Sequence, residues 1–254
     1  MDASVPPGPE ALPPAPALRR TVLVLSGLDP SGGAGMAADL LAIAAQGVHA
    51  LPVVTALTVQ DNNRVHDVVP VDAALLLRQV RLLAATIRID AVKIGIPGSR
   101  ANALALAEVL AELRARDPAL PIVLDPVLAS GHGDALARGN AVEALAPLLA
   151  LASVLVPNLG EAAALGELAC AHVLVTGGHG SGPDVVNRWS ERSWTWERLP
   201  GEFHGSGCTL AAAIAARLAL GEPVEQALER AQAYTHGTLR AAFAIAPGQR
   251  IPLR

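Results

Sequence analysis

Short apolar runs alternate with longer amphipathic segments along most of this chain. The apolar runs are rich in Val, Leu and Ile, and each is short enough to form a buried strand. They cover residues 21–26, 51–57, 91–94, 121–125, 153–156 and 172–175. Helical patterns lie between them at about 36–46, 72–86, 99–116, 141–149 and 161–168. This alternation predicts a three-layer α/β fold, in which helices flank a mostly parallel central sheet.

Two segments depart from the strand–helix alternation. Residues 66–71 alternate like an exposed strand, and residues 185–199 predict a small antiparallel hairpin. The hairpin carries three tryptophans that we interpret as packing residues, namely Trp189, Trp194 and Trp196. Helical patterns after Cys208 and at 224–243 then close the fold.

The first residues of the chain differ from the rest in composition. Residues 1–20 are rich in Pro and Ala and lack the apolar region of a secretory signal. We therefore expect a disordered tail at 1–20. The remaining length suits a single α/β domain at 21–254 with a large buried core.

Composition and charge exclude several functions. The formal net charge of −4 gives no electrostatic footprint for nucleic acid or an anionic membrane surface. No apolar run approaches the roughly 20 residues that a membrane-spanning helix needs. The two cysteines, Cys170 and Cys208, make no disulfide framework, so a reducing cytoplasm is the expected setting.

A loop with two glycines, Gly205-Ser206-Gly207-Cys208, runs directly into an alanine-rich helical pattern. We call these four residues the anion loop. Such a loop presents unpaired backbone N–H groups and the positive end of a helix dipole, which together favour an anion such as phosphate. Cys208 falls in the first helical turn, where the same field predicts a pKa below the ordinary thiol value. An anion site beside a base is what phosphoryl transfer to an alcohol requires.

The anion loop has three other interpretations, and the residues that follow its glycines and its cysteine exclude two of them. Gly-Ser-Gly before a helix also occurs as a plain cap, and a single cysteine is often a small buried side chain. A P-loop would need a lysine after its glycines, and this loop has none. A cysteine phosphatase would carry an arginine shortly after its cysteine, where this chain has Ile214.

Polar residues gather where the predicted strands end, which is where α/β sheets hold ligands. They are Asp29, Gln60, Lys93, Asp125, Asn158, Glu161 and Thr176. Asp125 and Glu161 suit a Mg²⁺ ion shared with phosphates, whereas Asn158 and Glu161 equally suit a helix capping box. We interpret residues 61–63 as a solvated turn.

Several stretches, in chain order, carry a family resemblance. They are SGLDPSGGAGMAADL at 26–40, TALTVQ at 55–60, KIG at 93–95, LDPV at 124–127, PNLGEA at 157–162, GGH at 177–179 and HGSGCTL at 204–210. Together they resemble the hydroxymethylpyrimidine/phosphomethylpyrimidine kinases, ribokinase-like enzymes of thiamine biosynthesis. The cysteine of the last stretch is the most specific feature, because sugar kinases of this fold carry aspartate there.

The resemblance implies ATP-dependent phosphorylation of a pyrimidine's hydroxymethyl group and then of the resulting monophosphate, with Mg²⁺. It implies four groups of site residues: Cys208 as base with Gly205, Ser206 and Gly207 around the transferred phosphate; Gln60, Gly27 and Asp39 at the pyrimidine; Asn158, Thr176 and Gly178 at the nucleotide; Asp125 and Glu161 at the metal. The partners it implies are the pyrimidine and ATP, with no nucleic acid and no membrane. A homodimer is compatible with it.

The chain departs from the family pattern in three places. Thr176 stands where the family has a lysine near the ATP phosphates, and the segment between Glu161 and His172 is shorter than usual. Residues 129–134 also replace a run that commonly carries a lysine. These departures bear on nucleotide affinity and on the second phosphorylation more than on the fold.

Three alternative functions stay open beside this kinase. One is a pyridoxal kinase of the same fold. Another is a pyrimidine-binding module with a degraded nucleotide site, which the missing lysine would allow. The third is a dinucleotide-dependent oxidoreductase that uses a loose glycine fingerprint at residues 33–38, although it would leave the anion loop without a role.

Overall fold

The computed structural model describes residues 18–129, 133–134, 141–167 and 169–254. Most of the tail expected at residues 1–20 lies outside this part of the chain, as does much of the loop after Asp125. The division into a tail and one domain at 21–254 therefore stays a prediction.

The described strands form one nine-stranded sheet with the order β3-β2-β1-β4-β5-β6-β7-β8-β9. The strands are β1 (Thr21–Leu28), β2 (His49–Gln60), β3 (Val65–Pro70), β4 (Ala91–Ile94), β5 (Ile122–Leu124), β6 (Val154–Leu155), β7 (His172–Val175), β8 (Asp184–Trp189) and β9 (Arg192–Glu197). Six neighbouring strands of this order, β2, β1, β4, β5, β6 and β7, pair in parallel. Strand β3 pairs antiparallel with β2 at one edge, and the β8–β9 hairpin pairs antiparallel with β7 at the other. The predicted sheet and hairpin are confirmed.

Helices cover both faces of the sheet. They are α1 (Gly35–Ala45), α2 (Ala73–Thr86), α3 (Arg100–Arg116), α4 (Ala141–Leu149), α5 (Leu159–Leu165), α6 (Ser206–Ala219) and α7 (Val224–Arg240). Along β1, Val22 and Val24 join the apolar core beneath α1, α6 and α7, while Leu23 and Leu25 join the core beneath α2, α3 and α4. Since successive side chains of a strand point to opposite faces, β1 contributes to both cores. The three-layer expectation is confirmed.

Helix α6, which begins within the anion loop, is deeply buried. Residues 211–216 are all fully buried, and five of these six are alanines. Small side chains allow the helix to lie close to α1, α7 and the central strands. The anion loop at its start is therefore attached to the rigid centre of the molecule.

The turn after β2 is less exposed to solvent than predicted. We expected residues 61–63 to be a solvated turn, but Asn62 is only 4% exposed and donates to the carbonyl oxygen of Gln249 over 3.1 Å. The side-chain oxygen of Asn63 accepts from the N–H of Gln249 over 3.0 Å. The turn thus binds the C-terminal segment, a long-range contact that local polarity does not reveal.

Within the part of the chain that the structure describes, no helix is both long and apolar enough to cross a membrane.

Candidate active site

A pocket of about 1100 Å³ opens at the carboxyl ends of the parallel strands. It brings together almost all of the site residues predicted from the sequence. Those that line it are Gly27, Gln60, Asp125, Asn158, Glu161, Thr176, Gly178, Gly205, Ser206, Gly207 and Cys208. Asp39 is the exception and lies outside the pocket wall.

At one end of the pocket, Gln60 stands at the end of β2 and Gly27 near the end of β1. A Cβ added at Gly27 would lie 2.6 Å from Cδ1 of Ile96, so a larger residue there would require the Ile96 side chain to shift. The nearby Arg64 donates through Nε to both carboxylate oxygens of Asp134, over 3.0 and 3.1 Å. This contact joins the β2–β3 turn to the loop after β5.

The anion loop has the geometry of a helix start. Gly205 is the N-cap of α6 and adopts a left-handed conformation with φ of 81°, which strongly favours glycine. A Cβ on Gly205 would lie 2.1 Å from the carbonyl oxygen of Gly33. Ser206, Gly207 and Cys208 form the first turn, whose N–H groups have no intrahelical acceptors and can bind an anion.

A histidine–aspartate pair fastens this loop to the loop that follows β1. Nε2 of His204 lies 2.8 Å from Oδ2 of Asp29. Asp29 also accepts from the backbone N–H groups of Ser31 and Ala34, over 2.8 and 2.7 Å. Burial opposes the charged form of Asp29, but the hydrogen bonds from His204 and Ser31 outweigh it and lower the pKa of this carboxyl.

Arg254 makes a second connection between the same two loops. Its guanidinium donates to the carbonyl oxygens of Gly33 and Gly205, over 2.7 and 3.3 Å. It also donates through Nε to the hydroxyl of Thr209, over 2.8 Å, and that hydroxyl donates to Gly205 over the same distance. The anion loop is consequently held from below by several independent hydrogen bonds.

The expected low pKa of Cys208 is wrong. Burial raises the pKa of this thiol to about 12; the positive charge of Lys93 opposes the rise, and the carboxylates of Asp39 and Asp125 add to it. The field at the start of α6 does not overcome this loss of solvation. Cys208 therefore rests as a thiol at neutral pH, although it is still partly accessible from the pocket.

A buried ion pair lies beneath the pocket floor. Nζ of Lys93 lies 2.8 Å from Oδ2 of Asp39, and both side chains are fully buried. A Cβ on Gly95, which lines the pocket, would come within 3.1 Å of that Nζ. The role of Asp39 as a substrate ligand is thus corrected: it neutralises Lys93 under the floor, because an unpaired buried ammonium would be costly.

Two carboxylates face the middle of the pocket. Burial raises the pKa of Asp125 to about 6. Burial and the charge of Asp125 raise the pKa of Glu161 to about 7. The charge of Lys93 favours the ionised form of Asp125 but does not offset its burial, and a divalent cation beside the two carboxylates would do so.

The capping-box interpretation of Asn158 and Glu161 is also realised. Oδ1 of Asn158 accepts from the N–H of Glu161 over 2.9 Å, and Oε2 of Glu161 accepts from the N–H of Asn158 over 2.8 Å. These bonds begin α5, the short helix of the reduced crossover. Both residues line the pocket as well, so capping does not withdraw them from it.

The other end of the pocket is built from the β7–β8 loop, residues 176–183, and the hairpin. Thr176 and Gly178 lie there, as predicted, and the N–H of Thr176 donates to the carbonyl oxygen of Pro157 over 2.8 Å. Sequence reasoning missed Arg198, which lines this end and contacts the loop. The only sequence signal was a positive charge at the end of a predicted strand.

The hairpin tryptophans divide between two roles. Trp189 and Trp194 pack against the core beneath α6, as predicted. Trp196 instead lines the pocket, where its indole N–H donates to Oε1 of Gln232 over 3.3 Å. For Trp196 the interpretation as a packing residue alone is therefore incomplete.

A helix start with unpaired N–H groups, two carboxylates and a second glycine loop lie together at the carboxyl ends of a mostly parallel sheet, an arrangement typical of small-molecule kinases of the ribokinase-like class. The family model described as phosphomethylpyrimidine kinase matches residues 29–252. The chain therefore belongs to the phosphomethylpyrimidine kinase family, a family of phosphotransferases, which confirms the family resemblance and the enzyme class.

Curated relatives agree with this assignment. A hydroxymethylpyrimidine/phosphomethylpyrimidine kinase of Rhizobium meliloti (strain 1021) is 37% identical over 253 residues, which cover 89% of this chain and 93% of the relative. A protein with the same name from Streptomyces coelicolor is 36% identical over 259 residues, which cover 93% and 94%.

Solved structures confirm the ribokinase-like fold. The pyridoxal kinase of Staphylococcus aureus in complex with AMP-PCP and pyridoxal has a TM-score of 0.79 and 26% identity over 93% of each chain. The phosphomethylpyrimidine kinase of Clostridium difficile has a TM-score of 0.69 and 27% identity, covering 85% of this chain and 97% of its own.

Proposed function

We propose that this protein transfers the γ-phosphoryl group of ATP to the hydroxymethyl group of 4-amino-5-hydroxymethyl-2-methylpyrimidine and then to the resulting monophosphate, in thiamine biosynthesis. The observation that carries the proposal is the anion loop, which opens α6 in the same pocket as Gln60. The names of the relatives support the pyrimidine as the acceptor.

Each residue has a role that follows from its chemistry. Gln60 offers a donor and an acceptor, which match the edge of an aminopyrimidine. The N–H groups at the start of α6 stabilise charge on the transferred phosphoryl group, and this is the main requirement of such transfers. Cys208 rests as a thiol, so its own proton must first pass to solvent; the Sγ thiolate then takes the hydroxyl proton, and the charge of Lys93 favours that thiolate.

Asp125 and Glu161 are proposed to hold Mg²⁺. When bound, the ion would neutralise developing charge on the phosphate oxygens. The carboxylates fit this role because Asp125 is buried, Glu161 is half-buried and the charge of Asp125 raises the pKa of Glu161. Within the described residues there is no cluster of three or more His, Cys, Asp or Glu side chains for a metal, so water and phosphate would supply the remaining ligands, as is usual for Mg²⁺.

The second candidate function is pyridoxal kinase activity. It is supported by the higher TM-score of the Staphylococcus aureus pyridoxal kinase, 0.79, against 0.69 for the Clostridium difficile phosphomethylpyrimidine kinase. Overall shape does not identify the acceptor, however, because acceptor choice depends on a few side chains. The proposal therefore ranks the pyrimidine first.

An ADP-release assay with the hydroxymethylpyrimidine, its monophosphate and pyridoxal tests both candidates. We expect turnover with the two pyrimidines, and a Gln60→Ala variant should raise the pyrimidine KM about 5- to 150-fold, since a lost buried hydrogen bond costs about 1–3 kcal/mol. Turnover with pyridoxal alone would replace the first candidate by the second. Pyrimidine binding without nucleotide binding or turnover would support the pyrimidine-binding module.

A homodimer and a cytoplasmic location complete the proposal. Leu57 and Val69 form an exposed cross-strand pair on β2 and β3, with Val59 exposed beside them, and an apolar edge of this kind suits a second copy of the chain. Light scattering after gel filtration would give the mass. The two free cysteines, Cys170 and Cys208, fit a reducing compartment.

A further inference from the structure

The β7–β8 loop presents two backbone N–H groups that lack protein acceptors. Gly178 and His179 are exposed and line the pocket. No hydrogen bond joins the N–H of either residue to another protein atom within residues 18–129, 133–134, 141–167 and 169–254. These two groups are therefore available to a ligand.

Backbone N–H groups favour an anion only if the neighbouring carbonyl oxygens point elsewhere. In the β7–β8 loop, several carbonyl oxygens point toward Arg198. Its guanidinium donates to the carbonyl oxygens of Gly178 and Gly182, each over 2.7 Å, and to that of Asp184 over 3.1 Å. A longer contact of 3.4 Å reaches the carbonyl oxygen of Gly177. One side chain thus binds the negative ends of the loop's peptide dipoles.

The charge of Arg198 is also free of a carboxylate partner. Among the described residues, the arginines that line the pocket are Arg64 and Arg198. Arg64 is neutralised by Asp134, whereas the guanidinium of Arg198 is bound by carbonyl oxygens and by no carboxylate in the part of the chain that the structure describes. Its full positive charge therefore acts on whatever lies beside the loop.

Apart from the two arginines, the formally charged side chains on the described pocket wall are carboxylates. Asp61, Asp125, Glu161, Glu197 and Glu202 line it. A ligand with several phosphate charges would be repelled by these groups unless fixed cations met it where it binds. Thr176, at the start of the same loop, carries no charge.

We propose that Arg198 is the residue that makes the β7–β8 loop a phosphate site: its charge attracts the phosphates of a nucleoside di- or triphosphate, and its hydrogen bonds turn the loop's carbonyl oxygens away from them. This inference rests on the proposed function, because it concerns the nucleotide that the kinase uses. It also explains how the chain binds that nucleotide with a threonine at position 176.

Binding measurements on the purified full-length protein test the proposal. The ligands are ADP and adenosine, which share a base and a ribose and differ in phosphate charge. Replacing Arg198→Met should weaken ADP binding roughly 10- to 100-fold, the range expected for hydrogen bonds to a charged group, and leave adenosine binding unchanged. Calorimetry measures ADP, and ligand-observed NMR titration measures adenosine.

Two further variants keep the result interpretable. Arg198→Lys retains the charge but loses the planar fork, so its ADP affinity should fall between wild type and Arg198→Met. Arg192→Met is the matched control, because Arg192 lies on the same hairpin, is exposed and pairs with Glu225. Its ADP affinity should equal that of wild type.

Each other outcome has a definite meaning. Equal loss of ADP and adenosine binding in Arg198→Met would reduce Arg198 to a structural role and overturn the proposal, as would unchanged ADP binding. Adding Thr176→Lys to Arg198→Met should restore part of the ADP affinity, and no restoration would place the phosphates elsewhere. Failure of the wild-type protein to bind ADP would instead refute the proposed kinase function.

Discussion

Two glycine loops face each other across the pocket, and they are held in different ways. The anion loop at Gly205–Cys208 is fastened to the β1–α1 loop by His204 and Arg254, and it continues into the buried helix α6. The β7–β8 loop lies at the edge of the sheet, where Gly178 and His179 are exposed and Arg198 binds its carbonyl oxygens.

The two loops are held by the same kind of hydrogen bond but by different numbers of side chains. In both loops a guanidinium donates to glycine carbonyl oxygens, Arg254 in one and Arg198 in the other. The anion loop has further support from Asp29 and from the hydroxyl of Thr209. In the proposed mechanism the reacting group would therefore meet a fixed surface, whereas the nucleotide would meet a loop that depends chiefly on one side chain. Four changes would sharpen or break this comparison.

The largest effect is expected at Cys208. Cys208→Ala should lower kcat by about 10²–10⁴-fold, the usual contribution of a general base, while pyrimidine affinity stays near wild type. Steady-state kinetics and calorimetry measure the two quantities. Cys170→Ala is the control, because Cys170 lies outside the pocket and should turn over normally. Full activity in Cys208→Ala would leave the backbone N–H groups as the catalytic part of the loop.

A matched pair of glycine substitutions tests the rigidity of the loops directly. Gly205→Ala should lower kcat by about 10²–10³-fold, because its methyl would collide with Gly33 and displace the N–H donors. Gly178→Ala should leave Tm unchanged and lower kcat much less than Gly205→Ala, since an added Cβ there meets no protein atom within 4 Å. Similar behaviour of the two variants in activity and in Tm would remove the proposed contrast.

The pH dependence tests the charge state at the anion loop. Because burial raises the pKa of Cys208 to about 12, the thiolate fraction is small at neutral pH and grows as the pH rises. We expect kcat to increase by about tenfold per unit between about pH 7 and pH 9 if the thiolate is the base. Cys208→Asp should reach its plateau at a much lower pH, because a carboxyl ionises well below a thiol even where burial raises the pKa of both. A flat wild-type profile would exclude the thiolate.

The smallest effect is expected on the nucleotide side. Thr176→Lys should lower the KM for ATP by up to about fivefold, the value of a partly exposed ion pair, because Arg198 already supplies a charge. Thr176→Met controls for the added bulk and should not lower it. A much larger gain would mean that the β7–β8 loop lacks an effective cation in the wild-type protein.

The sequence predicted the features that depend on local pattern. The apolar runs gave every parallel strand, and the loop–helix pattern at residues 205–219 gave the anion loop. β2 extends from His49 to Gln60, beyond the predicted 51–57, because its end pairs with β3. Such pairing supplies hydrogen-bond partners for polar residues that look like a turn in isolation.

The features that the sequence did not predict depend on distant partners. The charge state of Cys208 depends on Lys93, Asp39 and Asp125, which come from three other segments. Asp39 could not be separated from the substrate ligands until its contact with Lys93 was visible. Arg198 likewise gains its role from a loop that precedes it in the chain.

The burial of α6 has a consequence for the order in which the protein folds. This helix packs against α1 and against β1, the first strand of the chain, so its contacts join residues that are far apart in sequence. Such contacts form slowly, because a long loop must close before they contribute any stability. We expect the anion loop to take its shape only when α6 docks, so the proposed phosphate site would form late in folding, after the sheet that carries the other site residues has assembled.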